Sequence, residues 1–73
     1  MRFKIRNTEF VGCRGYIIGM LKSHLSHCTL HWDTPHGYWS LEGEWDEFFN
    51  ENVTPREARD RLTAKILAKV PVE

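Results

Sequence analysis

Residues 10–25 read Phe10-Val11-Gly12-Cys13-Arg14-Gly15-Tyr16-Ile17-Ile18-Gly19-Met20-Leu21-Lys22-Ser23-His24-Leu25, and whether they form helix or strand decides the architecture. Val11, Ile18, Leu21 and Leu25 fit one face of a helix. Against that, Gly12, Gly15 and Gly19 together would cost roughly 3 kcal/mol relative to alanine in a helix interior. As a strand, residues 15–21 offer the β-branched neighbours Ile17 and Ile18, with Gly12 and Gly15 making the preceding turn. Both readings stand on the residues, and the strand is preferred.

The choice carries into the next stretch, where all four histidines and one of the two cysteines fall within residues 24–36. On a helix, His24, His27, Cys28 and His31 would stack on one face, a possible metal site within one segment. On a strand, His27 and His31 share one face while His24 and Cys28 turn to the other. Thr29, His31 and Trp32 are poor helix formers, so the strand geometry, which divides the set, is expected. On that reading His27 and His31 tune an interface when they protonate near pH 6.5. A zinc-binding domain built on this cluster is an alternative, and no cofactor is otherwise implied.

Downstream, residues 29–32 and 38–42 flank Asp33-Thr34-Pro35-His36-Gly37, a run of turn formers. A hairpin follows, with Leu30, Trp32, Trp39 and Leu41 on one face and Thr29, His31, Tyr38 and Ser40 on the other. Trp45, Phe48 and Phe49 fit either a short helical turn or an irregular anchor. Thr54-Pro55-Arg56-Glu57 then combines an N-cap, proline at the first helical position and a capping-box glutamate. Ala58, Leu62, Ile66 and Val70 continue one apolar stripe, so a helix is expected over residues 55–70, stopped by Pro71. Upstream, residues 2–6 alternate charged and apolar side chains as a strand does.

The whole reads as an α+β domain. A small antiparallel sheet of 3–5 strands occupies residues 1–50, mainly β, and packs against an amphipathic helix over residues 54–70. At 73 residues there is room for one domain and one core, and such short chains often add a metal, a disulfide or a partner. Residues 1–9 are charged where a signal peptide needs an apolar stretch. No apolar run is long enough to span a bilayer. A cytoplasmic, reducing setting with free Cys13 and Cys28 is therefore expected, with no membrane partner. The sequon at Asn52 is read as loop-and-cap chemistry.

Residues 12–19, then Cys28-Thr29-Leu30-His31-Trp32-Asp33, the turn, and Gly37-Tyr38-Trp39 together resemble the SH3-like small barrels of the Tudor and KOW kind. The resemblance spans roughly residues 2–48. It implies a binding module with an aromatic-lined groove, for which Trp32, Tyr38 and Trp39 are the matching positions. The chain lacks the fixed aromatic and carboxylate spacing of methyl-lysine readers.

Net charge is zero but unevenly spread. Residues 1–31 carry +4 and residues 53–73 carry +2, whereas residues 32–52 hold six acids and no Lys or Arg. An acidic block with embedded aromatics repels phosphate and steers basic surfaces. Three tryptophans, two tyrosines and four phenylalanines exceed what so small a core encloses. The expected function is therefore non-enzymatic binding of a protein with a basic surface, as an adaptor, regulator or inhibitor. Trp32, Tyr38, Trp39, Glu42, Glu44, Trp45, Asp46 and Glu47 would form that surface, with most of the tryptophan area still in the core against Leu62 and Ile66. By analogy alone, viruses and mobile elements make free-standing domains of this kind to block host proteins. Nucleic-acid binding is the alternative, with Arg2, Lys4, Arg6, Arg14 and Lys22 as the basic face. No catalytic motif occurs, and the Cys and His residues have little room for a surrounding cleft.

Overall fold

Seven elements follow one another in the computed structural model, which describes residues 1–34, 37–45 and 53–72. They are β1 (Arg2–Ile5), β2 (Thr8–Val11), α1 (Arg14–His27), β3 (Leu30–Asp33), β4 (Tyr38–Leu41), β5 (Glu44–Trp45) and α2 (Pro55–Leu67). The strands form two antiparallel sheets, β1-β2 and β3-β4-β5. The chain is thus α+β, with β2 packed on α1, α1 on α2, and α2 on β4 and β5. This serial stacking gives an elongated body of 37 × 19 × 18 Å.

The expected strand over residues 15–21 is corrected: residues 14–27 are a helix. Residues 14–19 of the glycine-led segment therefore lie inside that helix, so the described part of residues 1–50 combines strands with a helix. The stripe that decides the matter is Ile17, Leu21 and Leu25, each wholly buried. Burial of one face outweighs weak intrinsic propensity, as it does in most short protein helices. Gly12 lies before the helix at φ +147°, where a Cβ would come within 2.8 Å of the Tyr16 ring. Only Gly15 and Gly19 are inside it, both exposed and with open space where a methyl group would sit. Gly15→Ala and Gly19→Ala are each expected to raise stability by about 0.5–1 kcal/mol, read as a shift of the urea midpoint at unchanged slope. A loss of stability in both would contradict the helical assignment.

The other elements follow their signals. Glu57 N donates to Thr54 Oγ1 at 3.2 Å, which is the backbone half of the capping box. Ala58, Leu62, Ile66 and Val70 are all buried, the last beyond the end of α2. The β3–β4 hairpin has the register Leu30↔Leu41, His31↔Ser40, Trp32↔Trp39 and Asp33↔Tyr38. Its two faces therefore carry the residues expected of them, except that Thr29 lies just ahead of β3. One addition is the β1–β2 hairpin, which turns at Arg6 (φ +52°) and pairs Phe3 with Phe10. Another is the Glu42-Gly43 turn into β5, with φ +49° and +80°, the mirror-image two-residue turn that suits antiparallel strands.

Among the described residues a single core joins the layers: Phe10, Ile17, Leu21, Leu25, Leu41, Leu62, Ile66 and Val70. No tryptophan belongs to its buried set. The expected tryptophan core against Leu62 and Ile66 is corrected, because aliphatic residues from both helices already fill that space. Among the described residues, no helix is long and apolar enough to cross a membrane.

Candidate functional site

The β3–β4 hairpin brings its aromatics to the surface in two pairs. Trp32 and Trp39 are cross-strand partners, with ring centroids 5.0 Å apart at an interplanar angle of 61°. This edge-to-face arrangement is the favoured one for aromatic rings. Trp39 is half-buried and packs against the core, while Trp32 is 40% exposed. On the opposite face, Tyr38 meets Trp45 edge-on at 5.0 Å. Tyr38 and Trp39 point opposite ways, as adjacent strand residues must.

Beside the Trp39 face lies an open groove of about 710 Å³ between the sheet and the start of α2. Thr29, Leu30 and Trp39 line one wall and Pro55, Arg56, Arg59 and Asp60 the other. Arg59 is fixed in place, its Nη1 donating to the carbonyls of Leu25 (2.7 Å) and Cys28 (2.8 Å). Those carbonyls belong to the end of α1, where backbone acceptors run out of helical partners. Moreover, among the described residues β3 is an edge strand, paired with β4 alone. An edge presents backbone N–H and C=O groups to any extended chain that approaches.

Of the acidic residues expected to form a steering surface, Glu42 and Glu44 are described, and both lie close to other groups of the chain. Glu44 forms ion pairs with Lys65 and Lys69 of α2. Lys65 also donates to the Trp45 carbonyl and lies 5.7 Å from the Trp45 ring centroid, a cation–π distance. Glu42 turns toward the end of α1, within reach of His24. Asp46 and Glu47, like His36, Phe48 and Phe49, lie outside the described residues. Glu42 and Glu44 thus answer cations and polar groups of the chain itself.

The histidine cluster is divided, though along lines unlike those of the strand reading. His24 and His27 occupy the last turn of α1, Cys28 is its C-cap, and His31 is on β3. His27 is exposed and its Nδ1 donates to Ser23 O at 2.8 Å, so the expected outer face shared by His27 and His31 is corrected. His24 and Cys28 instead meet Glu42, and one ligand atom from each lies within 4.8 Å of the others. His24 Nε2 is 3.6 Å from Glu42 Oε2, is shielded from solvent and, among the described residues, has no hydrogen-bond partner. Burial first, and then the Glu42 carboxylate, push the Cys28 thiol above its ordinary pKa, outweighing the opposite pull of Arg59 and Arg6. A nucleophilic cysteine needs the reverse shift.

The candidate nucleic-acid residues do not form one purely basic face. Arg2 and Lys4 are exposed on the outer side of β1, with Glu9 opposite Lys4. Arg6 is in the following turn, its guanidinium against Gly43. Arg14 is half-buried in the first turn of α1, and Lys22 is exposed farther along that helix.

Two groove residues, Arg56 and Arg59, are not among those the sequence pattern singles out. Arg59 has a legible signal, since it adjoins Ala58 on the flank of the apolar stripe, where a long cation reaches across to a neighbouring element. No family model, curated protein or solved structure matches the chain. What the site can do follows from its own geometry.

Proposed function

We propose that this chain is a non-enzymatic protein-binding module, an adaptor, regulator or inhibitor, that takes an extended segment of its partner along the outer edge of β3. The observation that carries this reading is the coincidence of three features. An edge strand, the exposed Trp32 stacked on Trp39, and a groove with an apolar wall lie side by side. Strand addition supplies main-chain hydrogen bonds, and alternate side chains enter a neighbouring pocket for specificity. Tryptophan is the usual anchor of such contacts.

Charge complementarity sets the partner's chemistry. Among the described residues, Arg56 and Arg59 stand against Asp60 alone on the α2 wall, and the N-terminus of α2 adds partial positive charge. A segment with an apolar residue for the Leu30–Trp39 wall and an acidic residue near Arg56 fits this groove. This reading differs from the basic partner expected from the acidic block, and it draws support from Glu44 being matched by Lys65 and Lys69.

The test is selection of extended peptides from a random display library on the full chain, followed by titration of variants. Trp32→Ala is expected to weaken the selected peptides at least about tenfold, with the circular dichroism spectrum unchanged. Tyr16→Ala, on the exposed side of α1, leaves them intact. Peptides indifferent to Trp32→Ala would overturn the reading. So would binding confined to single-stranded nucleic acid that fades with salt and needs Arg2, Lys4 and Arg14. Dimerisation of the chain through β3, seen by light scattering, would assign the edge to a second copy and also overturn it.

A further inference from the structure

We infer that His24, Cys28 and Glu42 form a binding site for a zinc-class divalent transition metal that ties the end of α1 to the β4–β5 turn. The three ligand atoms lie within 4.8 Å of one another. In a tetrahedral zinc site, bond lengths of about 2.0–2.3 Å place ligand atoms roughly 3.3–3.8 Å apart. The His24 Nε2 to Glu42 Oε2 separation of 3.6 Å already falls in that range. Small side-chain rotations bring the sulfur in.

The donor set points to the metal. One imidazole nitrogen, one thiolate and one carboxylate suit zinc and its neighbours, whereas magnesium and calcium require oxygen ligands throughout. His24 Nε2 is the second, independent sign. It is shut off from solvent, lacks a hydrogen-bond partner among the described residues and faces the carboxylate. The Phe10 ring, 5.6 Å from the imidazole centroid and edge-on to it, packs beside the histidine.

Binding requires the Cys28 proton to leave. The thiol S–H bond breaks, the proton passes to solvent, and the sulfur keeps the electron pair it donates to the metal. Thiolate and carboxylate together then balance a dication. The neighbouring cations tolerate such a neutral site: Arg59 is held by backbone carbonyls, and Arg6 lies against Gly43. The fourth position falls to water. Glu42 also borders a polar pocket of about 260 Å³, lined with Arg6, Thr29, His31, Ser40 and Gly43, that can admit it.

The sequence offers a helical set of four only as the alternative to a divided one, and the inferred site uses two of the four with a distant glutamate. The metal site is independent of strand addition at β3, so either can fail without the other. The test adds zinc or cobalt alone to the untagged full chain at neutral pH. One equivalent of cobalt is expected to give a thiolate-to-metal charge-transfer band. A hundredfold excess of zinc over its Kd should raise the melting temperature by about 10 °C or more. Cys28→Ser abolishes the band, and His24→Gln and Glu42→Gln each weaken binding at least about tenfold. His27→Ala and Cys13→Ser retain it, and far-ultraviolet circular dichroism confirms that each variant folds. Absence of a thiolate band in the parent chain, or its survival in Cys28→Ser, would overturn the assignment. Loss of binding in His27→Ala with retention in Glu42→Gln would do so as well.

Discussion

Leu62→Ala is expected to leave the chain barely folded at 37 °C. Leu62 is wholly buried at the middle of the α2 stripe, with Ala58 and Ile66 on either side. That stripe is the common wall for α1 and the three-stranded sheet, since α2 packs on both. Truncating a buried leucine costs about 2–5 kcal/mol, the spread depending on how far the neighbours collapse. A domain of this length has only about 4–11 kcal/mol to lose. A drop of about 3 kcal/mol corresponds to roughly 12–24 °C in melting temperature. Thermal circular dichroism measures this directly, with Lys22→Ala as the exposed control. A fall no larger than the control's would mean that α2 is not the wall shared by the layers.

Arg59→Ala is expected to have the next largest effect, about 2 kcal/mol. The guanidinium serves the Leu25 and Cys28 carbonyls at once. Without it, the Cys28 carbonyl loses this donor and the Leu25 carbonyl keeps only the 3.3 Å bond from Cys28 N–H, and a partly buried acceptor left unmatched costs about 1–3 kcal/mol unless water replaces the donor. The residue therefore acts as a cap supplied by a different helix. Arg59→Lys should fall between the two, because an ammonium on a shorter reach keeps the charge but not the fork. Arg56→Ala, a change on the exposed wall of the same groove, is expected to shift stability by less than about 0.5 kcal/mol. Urea titrations of the three variants decide the matter, and equal effects of Arg56→Ala and Arg59→Ala would contradict the capping role. Amide exchange in the last turn of α1 should quicken only in the Arg59 variants.

How much of this is legible in the residues differs sharply between the two helices. The second helix declares itself through Thr54, Pro55, Glu57 and a four-residue apolar repeat, because its local and tertiary preferences agree. The first helix hides. Its N-cap is Cys13, which makes no side-chain cap, and its first turn carries Arg14 and no acid. Gly15, Gly19 and the adjacent isoleucines add to the disguise. The true signal is the Ile17, Leu21 and Leu25 spacing, which a face drawn through Val11 and Ile18 obscures. Ile18 is only half-buried and Val11 is exposed.

The same ambiguity carries into the site. With a strand over residues 15–21, the His24 to His31 run reads as more strand, and alternation divides its members. In fact the helix ends at His27, and the chain turns at Cys28. Glu42 belongs to the acidic block by sequence position. Its contact with His24 and Cys28 depends on the Glu42-Gly43 turn, a long-range placement that no local pattern encodes. Likewise Glu44 reads as a free surface charge until α2 supplies Lys65 and Lys69. The hairpin faces, by contrast, are readable because a period of two leaves no freedom once the turn is located.

The claim that β3 accepts a partner strand is tested most directly by amide-resolved NMR of the isotope-labelled chain, titrated with a peptide selected on it. The account predicts shifts at residues 30–32 and at the Trp32 indole, with slowed exchange of the β3 amides that face away from β4. Unchanged β3 exchange, with shifts confined to the outer face of α1 around Tyr16 and Met20 or to the Arg2 and Lys4 side of β1, would contradict it.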